Sequence, residues 1–174
     1  VSWLDYFCTT GLGEIDYLIT DDYLAPVGSD AFYSETLLRL TPGRLCYTPP
    51  PAPTPSTEGV EARRLVCLNR FSKINDEVAA AWSAALLRLP GWSLRLKGTG
   101  GDDAGVANAL RRRFAAHGVD PERLDISGEG PYAEAIDAYR DTAVALDPFP
   151  FSGCATSFDA LWMAGGPNLV RVDA

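Results

Sequence analysis

From residue 63 onward the chain alternates between two hydrophobic periods, and this alternation restricts its fold more than any other feature. RRLVCLN (63–69), SLRLKG (93–98), RLDISG (123–128), AVALD (143–147) and NLVRV (168–172) read as short strands. Between them DEVAAAWSAALLRL (76–89), DAGVANALRRRFAAHG (103–118), YAEAIDAYRDT (132–142) and ATSFDALWMAG (155–165) carry helical spacing. Strands that alternate with helices call for a parallel sheet covered by helices on both faces. End signals agree with these bounds. Asn75 or Asp76 opens the first helix, Gly118 closes the second with His117 in its last turn, and Pro131 sits at an N1-like position of the third. No internal repeat is present.

TPPPAPTPSTEG (48–59) holds five prolines among small polar residues, the composition of an extended linker. The expected organisation is therefore a first region over 1–47, a proline-rich linker over 48–62 and a second region over 63–174. In the first region VSWLDYF and IDYLITD read as short strands, with TTGLG as a turn between them. Asp30 to Leu40 reads as a short helix with Tyr33, Leu37 and Leu40 on one side.

With 174 residues, 47% of them hydrophobic, the chain can bury a core. A formal net charge of −8 argues against nucleic acid as partner, because phosphate binding needs clustered cations. Arg111, Arg112 and Arg113 read as a solvated helix face. No apolar run nears the roughly 18 residues that cross a bilayer, and no secretory leader is recognisable. The expectation is a cytoplasmic protein with no membrane partner. Cys8, Cys46, Cys67 and Cys154 are scattered and His117 is the one histidine, so zinc and redox motifs are unsupported and free, partly buried thiols are expected.

In an open parallel sheet, ligands bind beyond the carboxyl ends of the strands. Residues 69–76, 98–103, 127–132 and 148–157 lie on that edge. In PFPFSGCATS (148–157) the backbone is kept bare, two hydroxyls follow, and a helix begins whose first N–H groups suit an anion. Such a loop either binds phosphate or simply lets strand and helix pack closely. Lys73 follows the first strand of this region, where its ammonium can reach a phosphate at the neighbouring helix, unless it is an ordinary solvated lysine. Asp159, one turn into the last helix, can accept from ribose hydroxyls or favour the positive helix end. Gly128 to Ala133 matches GxGxxA, but no acidic partner follows at the required distance and Pro131 lacks an N–H, which argues against a dinucleotide site. Gly98, Gly100 and Gly101 with Asp102 and Asp103 read as a flexible acidic loop. His117 reads as a helix-end residue, and Trp82 and Trp162 as core.

Taken together, WLDYFCTTG (3–11), IDYLITD (15–21), YSETLLRL (33–40), CYTPP (46–50), NRFSKI (69–74) with Trp82, and LDPFPFSGCATSFDALWMAGGP (146–167) resemble the glycosyltransferases of the O-GlcNAc transferase and SPINDLY type, in order and in spacing. The resemblance implies a GT-B architecture of two Rossmann-like lobes, with the end of the N-terminal lobe in 1–47 and a nucleotide-sugar-binding C-terminal lobe in 63–174. It implies inverting transfer of a sugar, N-acetylglucosamine from UDP-GlcNAc, to Ser or Thr of a protein acceptor, without metal or other cofactor. By the family pattern Lys73 is the catalytic cation at the diphosphate, Thr156 binds a phosphate and Asp159 the ribose. Arg70, Cys154 and Ala155 fall at family donor-site positions, and Thr9 and Thr10 belong to a turn facing the donor sugar. Asp5, Phe7, Cys8, Arg70, Ala135, Cys154 and Ala155 depart from the pattern. They leave open a different donor, GDP-fucose or UDP-glucose, or a non-catalytic relative serving as a binding module. The length, and the lack of tetratricopeptide repeats, suggest a partial catalytic region.

Overall fold

The computed structural model describes residues 1–4, 6–55, 63–163 and 169–171. The chain forms two compact units, Val1–Thr48 and Pro49–Ala174. Of the expected linker, 49–55 carries neither helix nor strand, and 56–62 lies outside the described residues, as does Asp5.

In the first unit β1 (Tyr17–Thr20) pairs in parallel with β2 (Thr36–Arg39), from Tyr17 opposite Thr36 to Thr20 opposite Arg39. The helix expected over 30–40 does not form. Its first residues make one 3-10 turn (Asp30–Phe32), and Thr36–Arg39 becomes β2. Spacing of three and four was misleading because only Leu37 of that set is buried, packing with Leu18 and Ala25, while Leu40 is exposed. Pairing with β1 overrides the local pattern. Arg39 anchors the result by donating to the Ala25 carbonyl at 2.7 Å and, through two nitrogens, to Asp30. The strand expected over VSWLDYF shrinks to one bridge, Ser2 to Leu18.

In the second unit the expected alternation is what forms: β3 (Arg64–Cys67), α1 (Asp76–Leu87), β4 (Ser93–Lys97), α2 (Ala104–Ala115), β5 (Leu124–Ser127), α3 (Tyr132–Asp137), β6 (Val144–Asp147), α4 (Ala155–Met163) and β7 (Leu169–Arg171). The strands are parallel in the order β5-β4-β3-β6-β7. Chain order therefore reverses between β3 and β6, which is where open sheets of this kind bind ligands.

Two-residue alternation sends neighbouring side chains to opposite faces. Leu65, Cys67 and Leu146 join Val78, Trp82, Leu86, Leu110 and Phe114 from α1 and α2, whereas Val66 and Ala145 join Ile136, Ala160 and Met163 from α3 and α4. Trp82 is core, as its spacing predicted, and Trp162 packs against the second cluster.

Local chemistry sets the helix ends. Asn75 accepts from Val78 N–H at 2.8 Å, and Asp103 accepts from Gly105 and Val106. Pro131 stands at the N-cap of α3 rather than at N1. Arg113 pairs with Asp76 at 2.8 Å and donates to the Ile74 carbonyl, so the arginine run is only partly a solvated face. Arg123 donates to the carbonyls of Trp92, Leu86 and Leu89 at 2.8 Å each, a second donor for Leu86 and Leu89, which also accept from the N–H groups of Leu89 and Trp92.

Candidate functional site

Loops following β3, β4, β5 and β6, together with α3 and the start of α4, enclose a cleft of about 590 Å³ at the carboxyl edge of the second unit. All four segments marked in the sequence contribute to its wall. The reversal of strand order explains why: the loops leaving β3 and β6 run in opposite directions from adjacent strands and open a gap between them.

Lys73, ending a 3-10 turn (Phe71–Lys73), spans that gap. Its ammonium donates at 2.9 Å to Asn69 Oδ1 in its own loop and at 2.9 Å to the Ser152 carbonyl in the loop after β6. It also lies 4.9 Å from the Phe151 ring centroid, within cation–π range. Burial lowers the Lys73 pKa from the ordinary lysine value, with Asp147 and other neighbours opposing that shift. An ammonium has three donors, and these two acceptors leave one N–H for a ligand.

The loop entering α4 is bare for a specific reason. A methyl group on Gly153 would stand 2.5 Å from Ser157 Oγ, 2.6 Å from Thr156 Oγ1 and 3.1 Å from Asp147 Oδ1. Glycine lets the chain fold back so that Gly153 N–H reaches Asp147 at 2.6 Å while the Ser157 hydroxyl reaches the same carboxylate at 3.1 Å. Close packing therefore holds this loop, and Cys154, Ala155 and Thr156 line the cleft. The N–H groups of Ala155 and Thr156 precede the first helical acceptor, since Ser157 and Phe158 already bond to the Cys154 carbonyl. Thr156 Oγ1 lies 3.5 Å from Asn69 Oδ1, the oxygen that Lys73 uses.

Farther along the wall, Asp159 is 3% exposed and accepts from the Tyr132 hydroxyl at 2.7 Å. The Tyr139 hydroxyl donates to the Thr156 carbonyl at 2.9 Å, and burial pushes its pKa well above the usual tyrosine value. The glycine-rich stretch after β4, expected as a flexible acidic loop, is closely packed at two of its glycines. Gly98 and Gly101 are buried, a side chain on Gly101 would collide with the Ser127 carbonyl, and Asp102 accepts from Gly128 N–H at 2.9 Å. Its two carboxylates are occupied in structure, Asp102 by this bond and Asp103 by capping α2.

No family profile matches the chain. A Petunia hybrida protein described as a probable UDP-N-acetylglucosamine–peptide N-acetylglucosaminyltransferase SPINDLY is 32% identical over 179 residues, covering 94% of this chain and 18% of its own length. The Arabidopsis thaliana relative of that description named SEC is 29% identical over 187 residues, again 18% of its length. Among solved structures, a lysine-to-methionine mutant of Thermobaculum terrenum O-GlcNAc transferase superposes with a TM-score of 0.85 at 41% identity, over 92% of this chain and 31% of that one. The chain belongs to the O-GlcNAc transferase and SPINDLY family.

Within that family's frame, Arg70, Lys73, Cys154, Ala155, Thr156 and Asp159 share a single cleft. Thr9 and Thr10 belong to the first unit. There the Thr9 hydroxyl donates to Glu35 at 2.8 Å, and Thr10 donates to the same carboxylate through its N–H at 2.6 Å and through its hydroxyl. These bonds, the Thr10 hydroxyl first, hold the Glu35 pKa down to about 2. All four cysteines are free as expected, but only Cys67 is buried, and desolvation pushes its thiol up to about 12. No helix among the described residues is long and apolar enough to cross a membrane.

The sequence reading gave no role to Asn69, Asp147, Tyr132, Glu35 or Lys97. Asn69 carried a usable signal, being a polar residue just beyond a buried strand end, whereas the others act through partners between 6 and 30 positions away.

Proposed function

We propose that this chain forms the donor-binding part of an inverting glycosyltransferase, one that moves N-acetylglucosamine from UDP-GlcNAc to a Ser or Thr hydroxyl of a protein. The activities for which its relatives are named and a single observation support this reading: Lys73, Asn69 and Thr156 converge with the opening of α4 at the reversal of strand order. In the reaction the acceptor oxygen bonds to the anomeric carbon as the bond from that carbon to the diphosphate breaks, and the hydroxyl proton passes to a base. Negative charge gathers on the departing diphosphate. A fixed ammonium and helix N–H groups stabilise that charge more than they stabilise the bound donor, which is the requirement for acceleration. Positive charge supplied this way takes the place of a metal. On this reading Asp159 accepts from ribose hydroxyls once Tyr132 yields it.

The test is calorimetric titration of the full-length protein with UDP, wild type beside Lys73→Ala. Affinity should fall at least tenfold in the variant, the range of one charge-assisted hydrogen bond. Equal affinity would remove Lys73 from the site.

A further inference from the structure

The sequence holds two lysines, Lys73 and Lys97, and in a chain of formal net charge −8 both line the same cleft. The diphosphate reading uses only Lys73. Lys97 ends β4, one strand from the reversal point on the side away from β6. It is half-buried, and its ammonium stands 3.7 Å from where a methyl group on Gly130 would lie. Glu129 also lines this end of the cleft but receives the Thr99 hydroxyl, and Glu134 Oε2 lies 3.7 Å from that same methyl position. Neither carboxylate is among the ion pairs formed by the described residues, and neither is Lys97.

A nucleoside diphosphate is an extended ligand. With its phosphates held where the loops after β3 and β6 meet, its base must lie over neighbouring strand ends. Leu68, Gly98, Gly130, Tyr132, Ala135 and Ile136 give that part of the wall small and apolar character suited to a flat ring. An ammonium at the edge of such a surface can only donate. We propose that Lys97 is a specificity-determining residue that donates to a ring carbonyl of the nucleotide's base and so selects keto bases, uracil or guanine, over adenine. The proposal rests on the donor-site reading above and adds which part of the nucleotide is read.

The experiment titrates full-length wild type, Lys97→Met and Lys97→Arg with UDP, GDP, ADP and inorganic pyrophosphate. Methionine keeps the length of the side chain and removes the donors. The expected result is that Lys97→Met binds its preferred keto nucleotide at least tenfold more weakly, while pyrophosphate affinity is unchanged. ADP should bind more weakly than the keto nucleotide to wild type and be indifferent to the substitution, and Lys97→Arg should keep most of the affinity. Equal losses for nucleotide and pyrophosphate would make Lys97 a phosphate contact and overturn the proposal, as would unchanged nucleotide binding by Lys97→Met. Wild type that binds neither UDP nor GDP would overturn the donor-site reading itself, and this one with it.

Discussion

The Lys73 ammonium donates to the Ser152 carbonyl at 2.9 Å, joining the loop that leaves β3 to the loop that leaves β6. Those residues are 79 positions apart in sequence. The bond fixes the cation beside the start of α4, and burial there lowers the Lys73 pKa. UDP affinity should therefore decline on the alkaline side at a pH below that at which an exposed lysine loses its proton. Titration across pH checks this, and Lys73→Arg, which stays charged, should abolish that decline.

Gly153→Ala places a methyl group 2.5 Å from Ser157 Oγ and 2.6 Å from Thr156 Oγ1, so both hydroxyls must move. Expected is a loss of UDP affinity of about tenfold or more, with a melting temperature lowered by only a few degrees. A large fall in melting temperature with unchanged affinity would show that the glycine serves packing alone.

Glu35 has its carboxylate pKa depressed to about 2 by Thr10 and Thr9. A folded-state pKa below the unfolded value, about 4.3 for glutamate, gives stability that is present above that unfolded pKa and lost as pH falls toward 2. Melting temperature measured from pH 6 downward should drop across this window in wild type. Glu35→Gln should be less stable at pH 6 and should lose part of that drop.

Arg123 gives three hydrogen bonds to carbonyls, Leu86 in the last turn of α1 and Leu89 and Trp92 beyond it. Arg123→Ala removes all three bonds, although the Leu86 and Leu89 carbonyls still accept from the N–H groups of Leu89 and Trp92, and should lower stability by about 2 kcal/mol, read from denaturant unfolding. Lysine at this position should rescue only in part, because a point-like ammonium cannot match three acceptors along a guanidinium plane.

What could be read without coordinates was whatever local chemistry fixes. Alternating periods in 63–172, the Asn75 cap and Trp82 as core all follow from neighbours within a few residues, and so did the candidates Lys73, Thr156 and Asp159, which a strand-end rule puts at one edge. Long-range pairing decided the rest. The 36–39 segment is a strand because β1 offers it an edge, and Gly98 and Gly101 are tight because Asn69 packs on the first and Ser127 and Gly128 on the second. Asn69 joins Lys73 to Thr156, and Tyr132 meets Asp159, only after the sheet has brought distant strand ends together. Sequence alone settled which strands and helices alternate along the second unit and, to within one residue, where each begins, because caps and periodicity act over one or two turns; it did not settle where they end, since α2 stops at Ala115 rather than 118 and α3 at Asp137 rather than 142. Tertiary structure settled which side chains face the cleft and which partner each one takes, because those contacts exist only once the strand order β5-β4-β3-β6-β7 has been assembled.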